Sequence, residues 1–313
     1  MNLKSDILLR LRENGGYVSG ESLARELDKS RAAVWKAVNS LRSEGYPIEA
    51  HTKKGYRLCG DADVLNAEEI LRFSENKIKT FYLESVDSTN NYAKMLISRG
   101  ETGIFLVASA QQTAGRGRQG KSFYSPRGTG VYMSLVVHPG APLQNAVSST
   151  TAAAVAVCRA IEKTSDKRPG IKWVNDVYLN GKKICGILTE AVADFESATV
   201  SSVVIGIGIN ISTADFPADV ENGGCLGAGI GRARLIAAVC DELLKIVNSS
   251  YADFIDDYRS RSIVTGKEIR FTEHGVSQIA KAVGIDDRGG LEIVLPDGEC
   301  RTLRSGEISI RKI

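Results

Sequence analysis

The stretch QQTAGRGRQGKSFYSP, residues 111–126, interleaves the glycines Gly115, Gly117 and Gly120 with the arginines Arg116 and Arg118. Glycine lets backbone amides approach a ligand closely, and guanidinium groups bring fixed positive charge suited to carboxylate or phosphate. The pair of features points to a loop that handles anions. It is not the phosphate loop G-x-x-x-x-G-K-[ST], since no Gly-Lys-Ser/Thr closes it. The glycine spacing fits a dinucleotide fingerprint, but an irregular loop and a strand follow where that fingerprint needs a helix. A lone RGG-like RNA tract is a weak reading, because such tracts are normally repeated and disordered.

Four further stretches carry polar groups at strand or helix ends: DSTN (87–90), KWVND (172–176), KKICGILTE (182–190) and GIGIN (206–210). Taken alone, Ser88 and Thr89 would cap a helix, and Lys183 would be a surface lysine near a hairpin tip. Six cysteines without a C-x-x-C pair and only three histidines, far apart, argue against a zinc site or a Cys/His nucleophile. Reduced, partly buried thiols are expected.

The elements that must position these residues are those of an ordinary globular chain of 313 residues, 43% hydrophobic and 25% charged. Its length predicts two or three domains. No apolar run approaches the roughly 20 residues of a membrane helix, and MNLKSDILLRLREN lacks the apolar core of a signal peptide, so a cytoplasmic location is expected. Residues 1–60 hold 11 Lys+Arg against 7 Asp+Glu. The excess positive charge belongs to this head, a pointer to a nucleic-acid partner.

Within the head, Ile7, Leu8 and Leu11 mark one helix, and Leu23, Ala24 and Leu27 a second, capped by Ser19. A third begins at Ser30, with Val34, Val38 and Leu41 as its apolar face and Arg31, Ala33, Lys36, Ala37 and Ser40 elsewhere. PIEAHTKKGYRL then reads as a hairpin with Lys53 and Lys54 at its tip. Three helices and a hairpin make a winged helix-turn-helix over residues 1–62. Its third helix would enter the major groove and its wing would lie on phosphates, with Ser30, Arg31, Lys36, Lys53 and Lys54 as DNA contacts. A protein-interaction module on the same fold is the alternative.

Residues 63–263 alternate helices and strands in an α+β pattern dominated by antiparallel pairing, with Asn180-Gly181 as a hairpin turn. Residues 264–313 hold the short strands KEIRF, GGLEIVL, ECRTL and ISIRK around turns at DDRGG and PDG, which predicts a small SH3-like barrel.

With the winged head in front of them, QTAGRGRQGKSFYSP, DSTN, KWVND, KKICGILTE and GIGIN in this order resemble the biotin protein ligases of the bifunctional, DNA-binding bacterial kind. The resemblance covers essentially the whole chain. It implies a mixed-sheet catalytic domain and a two-step reaction through biotinyl-5'-AMP, with ATP, biotin and Mg²⁺ as reactants and cofactor. Also implied are biotin carboxyl carrier domains of acetyl-CoA carboxylase and related carboxylases as acceptors, and operator DNA of biotin genes. A homodimer promoted by biotinyl-AMP would bind that DNA.

By the same resemblance Ser88, Thr89, Asn90 and Gln112 lie at biotin, with Gly115, Arg116, Gly117 and Gly186 around it. Arg118 and Lys183 fall where carboxylate and new phosphate ester meet. Arg116, Phe123, Lys172, Asn175, Asp176 and Asn210 fall on the ATP side. Asp176 and Asn210 are the candidate Mg²⁺ oxygens, and Arg118, Lys183 and Asp176 the catalytic set. Phe123 stands where the family commonly has Trp, and Val174 where it commonly has Pro, which is expected to loosen the chain before Asn175. Lipoate ligation is the rival chemistry, and a sensor without catalysis the rival of another class.

Overall fold

A computed structural model describes residues 2–138, 146–194, 199–220, 222–249, 252–273 and 276–310. The chain divides into two compact units, residues 1–65 and 66–313. In the first, helices α1 (Leu3–Asn14), α2 (Gly20–Glu26) and α3 (Arg31–Ser43) precede an antiparallel hairpin of β1 (Ile48–His51) and β2 (Gly55–Leu58). Each helix starts where a short polar side chain accepts from an orphan amide: Asn2 from Ser5, Ser19 from Ser22, Ser30 from Ala33. The Ser30 hydroxyl, expected at DNA, is therefore engaged as a helix cap. Ile7, Leu11, Leu23, Val34, Val38 and Leu41 form the core. Ala37 joins them, although the helical pattern had set it on another face. The hairpin is held to the α1–α2 connection by paired backbone bonds between Val18 and Tyr56. Gly55 makes that approach possible, with φ +97 and a Cβ position only 2.1 Å from the Val18 carbonyl oxygen.

The second unit is built on a seven-stranded sheet. In chain order it contains α4 (Ala67–Phe73), β3 (Lys79–Leu83), α5 (Thr89–Ser98), β4 (Phe105–Ser109), β5 (Gly130–Val137) and α6 (Ala146–Thr164). Then come β6 (Gly170–Lys172), β7 (Asp176–Leu179), β8 (Lys182–Asp194), β9 (Thr199–Asn210), α7 (Arg232–Val247) and α8 (Ala252–Ser260). Strand order is β3-β4-β5-β9-β8-β7-β6, and only β3 with β4 is parallel. On β8, Thr189 reaches Thr150 of α6 while the next residue, Glu190, reaches Asn90 of α5. Successive strand residues point to opposite faces, so these two helices cover opposite sides of the sheet. The tight turn between β7 and β8 has positive φ at both Asn180 and Gly181, the conformation that matches strand twist.

The carboxyl-terminal strands are β10 (Glu268–Glu273), β11 (Val276–Ile285), β12 (Leu291–Val294), β13 (Cys300–Leu303) and β14 (Ile308–Ile310). They pair antiparallel in the order β13-β12-β11-β10-β14. Among the described residues the two edges do not pair, so the expected closed barrel is here a five-stranded antiparallel sheet. Strand β11 went unread in the sequence because a bulge between Ala282 and Gly284 interrupts its alternation and Val276 and Val283 stay exposed. This sheet is fastened to the larger one by Trp173, whose indole N–H donates to the Gly289 carbonyl at 2.9 Å.

Candidate functional site

One cavity gathers the stretches singled out in the sequence, and it has two chemically distinct ends. At the neutral end, α5 starts against the loop after β4. The Thr89 amide and hydroxyl donate to Gln112 Oε1 at 2.9 and 3.1 Å, and Gln112 Nε2 donates to Ser125 Oγ at 2.9 Å. The Ser134 hydroxyl lies within hydrogen-bond distance of both Thr89 Oγ1 and Asn90 Oδ1. Ser88 occupies the N-cap position of α5 without making a side-chain cap bond, so its hydroxyl is not spent on the helix. Asn90 is different: its amide nitrogen is used up on Glu190 at 2.8 Å and Leu188 O at 3.2 Å. Gly206 accommodates it, since a Cβ there would fall 2.2 Å from Asn90 Oδ1. Asn90 lines the cavity but acts first as a buried structural peg.

The Gly/Arg loop doubles back on itself. Gly117 donates its amide to Lys121 O at 2.7 Å and Phe123 donates to Gly115 O at 2.9 Å. The Gly117 amide, expected to face a ligand, is thus engaged within the loop. Gly115 does not line the cavity; it is required for packing, because a Cβ would fall 2.3 Å from the Phe123 carbonyl oxygen. Arg116 lines the wall and turns to α5 and β8, donating to Asn91 Oδ1 at 3.0 Å and pairing with Glu190 at 3.5 Å. Burial pushes the Glu190 carboxyl up, but hydrogen bonds from Lys94 and Asn90 outweigh it and hold the group below its ordinary range.

The charged end is built by β6, β7 and β8. Arg118 donates to Asn175 Oδ1 at 3.1 Å, and Asn175 Nδ2 donates to Ile187 O at 3.1 Å. Lys183 Nζ lies 2.7 Å from Asp176 Oδ1. This ion pair holds the buried Asp176 oxygen and turns the Lys183 ammonium to the cavity wall. Lys172 is paired in register with Asp176. Burial lowers its pKa, Asp176 opposes that shift, and Lys183 adds to it. Three cationic side chains on one wall make an anion the complementary ligand.

Phe123 separates the two ends. Its ring lies against Gly186 and Gly208, which face each other across β8 and β9. A Cβ on Gly208 would fall 2.4 Å from Phe123 Cε1. What rests on Gly186 here is therefore this ring and the Lys183 stem. Val174, where the family commonly has Pro, is buried, and its carbonyl accepts from the Tyr258 hydroxyl at 3.2 Å. Asn210 is buried, donates to Gly224 O at 3.1 Å and does not line the cavity. Lys121 and Glu307, which form an ion pair at 2.5 Å, also line it and escaped the sequence reading. Their partnership is set by tertiary structure and leaves no local signal. The role of Gly206 and Gly208 was legible in principle, since alternate glycines on one strand leave the same face bare.

A mixed sheet carrying an anion-suited cavity, in a chain that starts with a helix-turn-helix unit, has the parts of a ligase with a DNA-binding module, and similarity to known proteins gives it a family. Residues 82–210 match the biotin/lipoate A/B protein ligase family, residues 4–57 an HTH domain and residues 264–311 the biotin protein ligase C terminal domain. The chain is 35% identical to the bifunctional ligase/repressor BirA of Bacillus subtilis (strain 168), over 95% of each chain. To the protein of the same name from Escherichia coli (strain K12) it is 30% identical, over 97% of this chain and 96% of that one. The biotin protein ligase from Aquifex aeolicus in complex with biotin and ATP shares the fold, with a TM-score of 0.62 and 24% identity over 75% of this chain and 99% of that one. The chain belongs to the bifunctional ligase/repressor family of biotin protein ligases.

Proposed function

We propose that this protein is an ATP-dependent biotin protein ligase and a biotin-responsive repressor of biotin-synthesis genes. The observation that carries the ligase reading is the division of one cavity into a neutral amide and hydroxyl end and a cationic end. A ureido ring both donates and accepts, which suits Ser88, Thr89 and Gln112 better than a dithiolane would, so biotin is favoured over lipoate. The biotin carboxylate then lies toward Arg118 and Lys183. In the first step a carboxylate oxygen attacks the α-phosphorus of ATP and pyrophosphate leaves. Two anions must meet, so the residues act by neutralising and aligning them. In the second step the amine of an acceptor lysine attacks the acyl carbon, loses a proton, and AMP leaves. Asp176, a carboxylate of the cavity wall, is assigned to take that proton.

Mg²⁺ entering with ATP would supply further charge neutralisation at the phosphates. The Asp176 carboxylate at the cavity wall, paired here with Lys183, is a donor of the kind such an ion takes, since Mg²⁺ typically uses one or two carboxylates and completes its shell with phosphate and water. Asn210, whose buried Oδ1 has no hydrogen-bond partner while its amide nitrogen donates to Gly224 O, is kept as the second candidate oxygen. Arg116, Phe123, Lys172 and Asn175 are read as adenylate contacts, with Lys121 added. The carboxyl-terminal sheet is read as a support for ATP and acceptor, through Glu307 at the cavity rim.

Acceptors are the biotin carboxyl carrier domains of carboxylases, and the head binds operator DNA as a homodimer promoted by biotinyl-AMP. Among the described residues no helix is long and apolar enough to cross a membrane, and the reading is of a cytoplasmic protein. The test is incubation with biotin, ATP, Mg²⁺ and a carrier domain. One acceptor lysine should gain one biotinyl group with pyrophosphate release, and excess lipoate should not compete. Folded protein that does neither step overturns the ligase reading. Sedimentation with and without biotinyl-AMP addresses the dimer, and unchanged association would refute that part.

A further inference from the structure

We propose that Trp35 contacts bases in the major groove through thymine methyl groups, and so helps to decide which operator the head selects. The proposal rests on the repressor reading above. Helix α3 buries Val34, Ala37, Val38 and Leu41, yet Trp35, between them in sequence, is 57% exposed. The chain's other tryptophan, Trp173, is 3% exposed. A single exposed apolar residue is ordinary on a protein surface. The surroundings set this one apart. Arg31 lies one helical turn before it, Lys36 is adjacent, Ala32 between the two turns is too small to block an approach, and all three are exposed.

Lys53 and Lys54, also exposed, sit at the tip of the same head's hairpin. The head carries 11 Lys+Arg against 7 Asp+Glu, so a polyanion is the complementary partner. Charges facing phosphates set position and carry no sequence information. Among Arg31, Ala32, Trp35 and Lys36, the indole offers the largest apolar surface, and the apolar feature of the major groove is the C5-methyl of thymine.

The experiment uses the full chain with biotin, ATP and Mg²⁺, selecting duplexes from a random pool. Each thymine of a selected duplex is then replaced singly by uracil, which removes only the methyl. At one or more positions wild-type affinity should fall by about fourfold, the value of one buried methyl. Trp35→Ala should lose about tenfold in preference for selected over unselected DNA and become indifferent to uracil at those positions. Lys36→Ala should instead weaken binding to both kinds of DNA and flatten the salt dependence. Adenylate formation by Trp35→Ala should be unchanged, which shows that the ligase unit is intact, and its affinity for unselected DNA should stay near wild type, which shows that the head is folded. Wild-type selectivity and wild-type uracil penalties in Trp35→Ala would overturn the proposal while leaving the head a DNA-binding module. Failure of the wild-type chain to select any duplex would overturn the repressor reading and the proposal with it.

Discussion

The two ends of the cavity solve opposite problems. At the neutral end Thr89, Gln112, Ser125, Ser134 and Asn90 bond to one another and set the wall before any ligand arrives, while the Ser88 hydroxyl, free of a cap bond, and the second amide N–H of Gln112 are there to meet a ring. At the charged end cations outnumber carboxylates: Arg118, Lys172 and Lys183 line the wall with Asp176 paired to Lys183, and burial holds the Lys172 pKa down although Asp176 opposes it. A bonded network fixes shape, whereas an excess of positive charge attracts an anion. The contrast assigns recognition of the ring to one end and the reaction to the other.

That division breaks most visibly at the charged end. Lys183→Ala should slow adenylate formation by about 100- to 1,000-fold, the typical loss when one stabilising donor is removed, with a much smaller change in biotin affinity. A wild-type rate in a single-turnover assay would remove Lys183 from the reaction. Gly115→Ala, beside the neutral end, should cost about 1–3 kcal/mol in a denaturant titration, because the Phe123 backbone carbonyl, with the Ser125 hydroxyl behind it, opposes the new methyl. Unaltered stability there would show that the loop can relax.

Gln112→Ala should raise the KM for biotin by about tenfold while kcat changes less, since the amide acts on ground and transition states alike. A selective loss of kcat would blur the division between the ends. The smallest effect is expected at the rim. Lys121 and Glu307 pair with side chains 64% and 37% exposed, so Glu307→Ala should alter stability by less than about 1 kcal/mol. A larger loss would mean that the ion pair fastens the Gly/Arg loop to the carboxyl-terminal sheet.

Much of the fold was legible because its signals are local. Ser19 and Ser30 stand at helix starts, Asn180-Gly181 stands at a hairpin, and Ile7, Leu8 and Leu11 repeat at helical spacing. Site residues such as Gln112 and Lys183 were reached through resemblance, and the structure brings them to one cavity. What escaped depends on partners distant in sequence. Gly206 is bare because Asn90 fills its place, and Gly208 because Phe123 does. Strand β11 is broken by its bulge, and Asn210, at the end of a glycine-punctuated strand, turns to Gly224 and away from the cavity. Period and composition cannot reveal a contact across the sheet.

The most direct measurement is a crystal structure of the chain with biotinyl-5'-AMP bound. The account predicts the bicyclic ring within hydrogen-bond distance of Gln112 or Ser88, the phosphate beside Arg118 and Lys183, and the Phe123 ring displaced from Gly186 and Gly208 or packed on the ligand. An adenylate bound in the reverse sense, or with its phosphate away from Lys183, would contradict it.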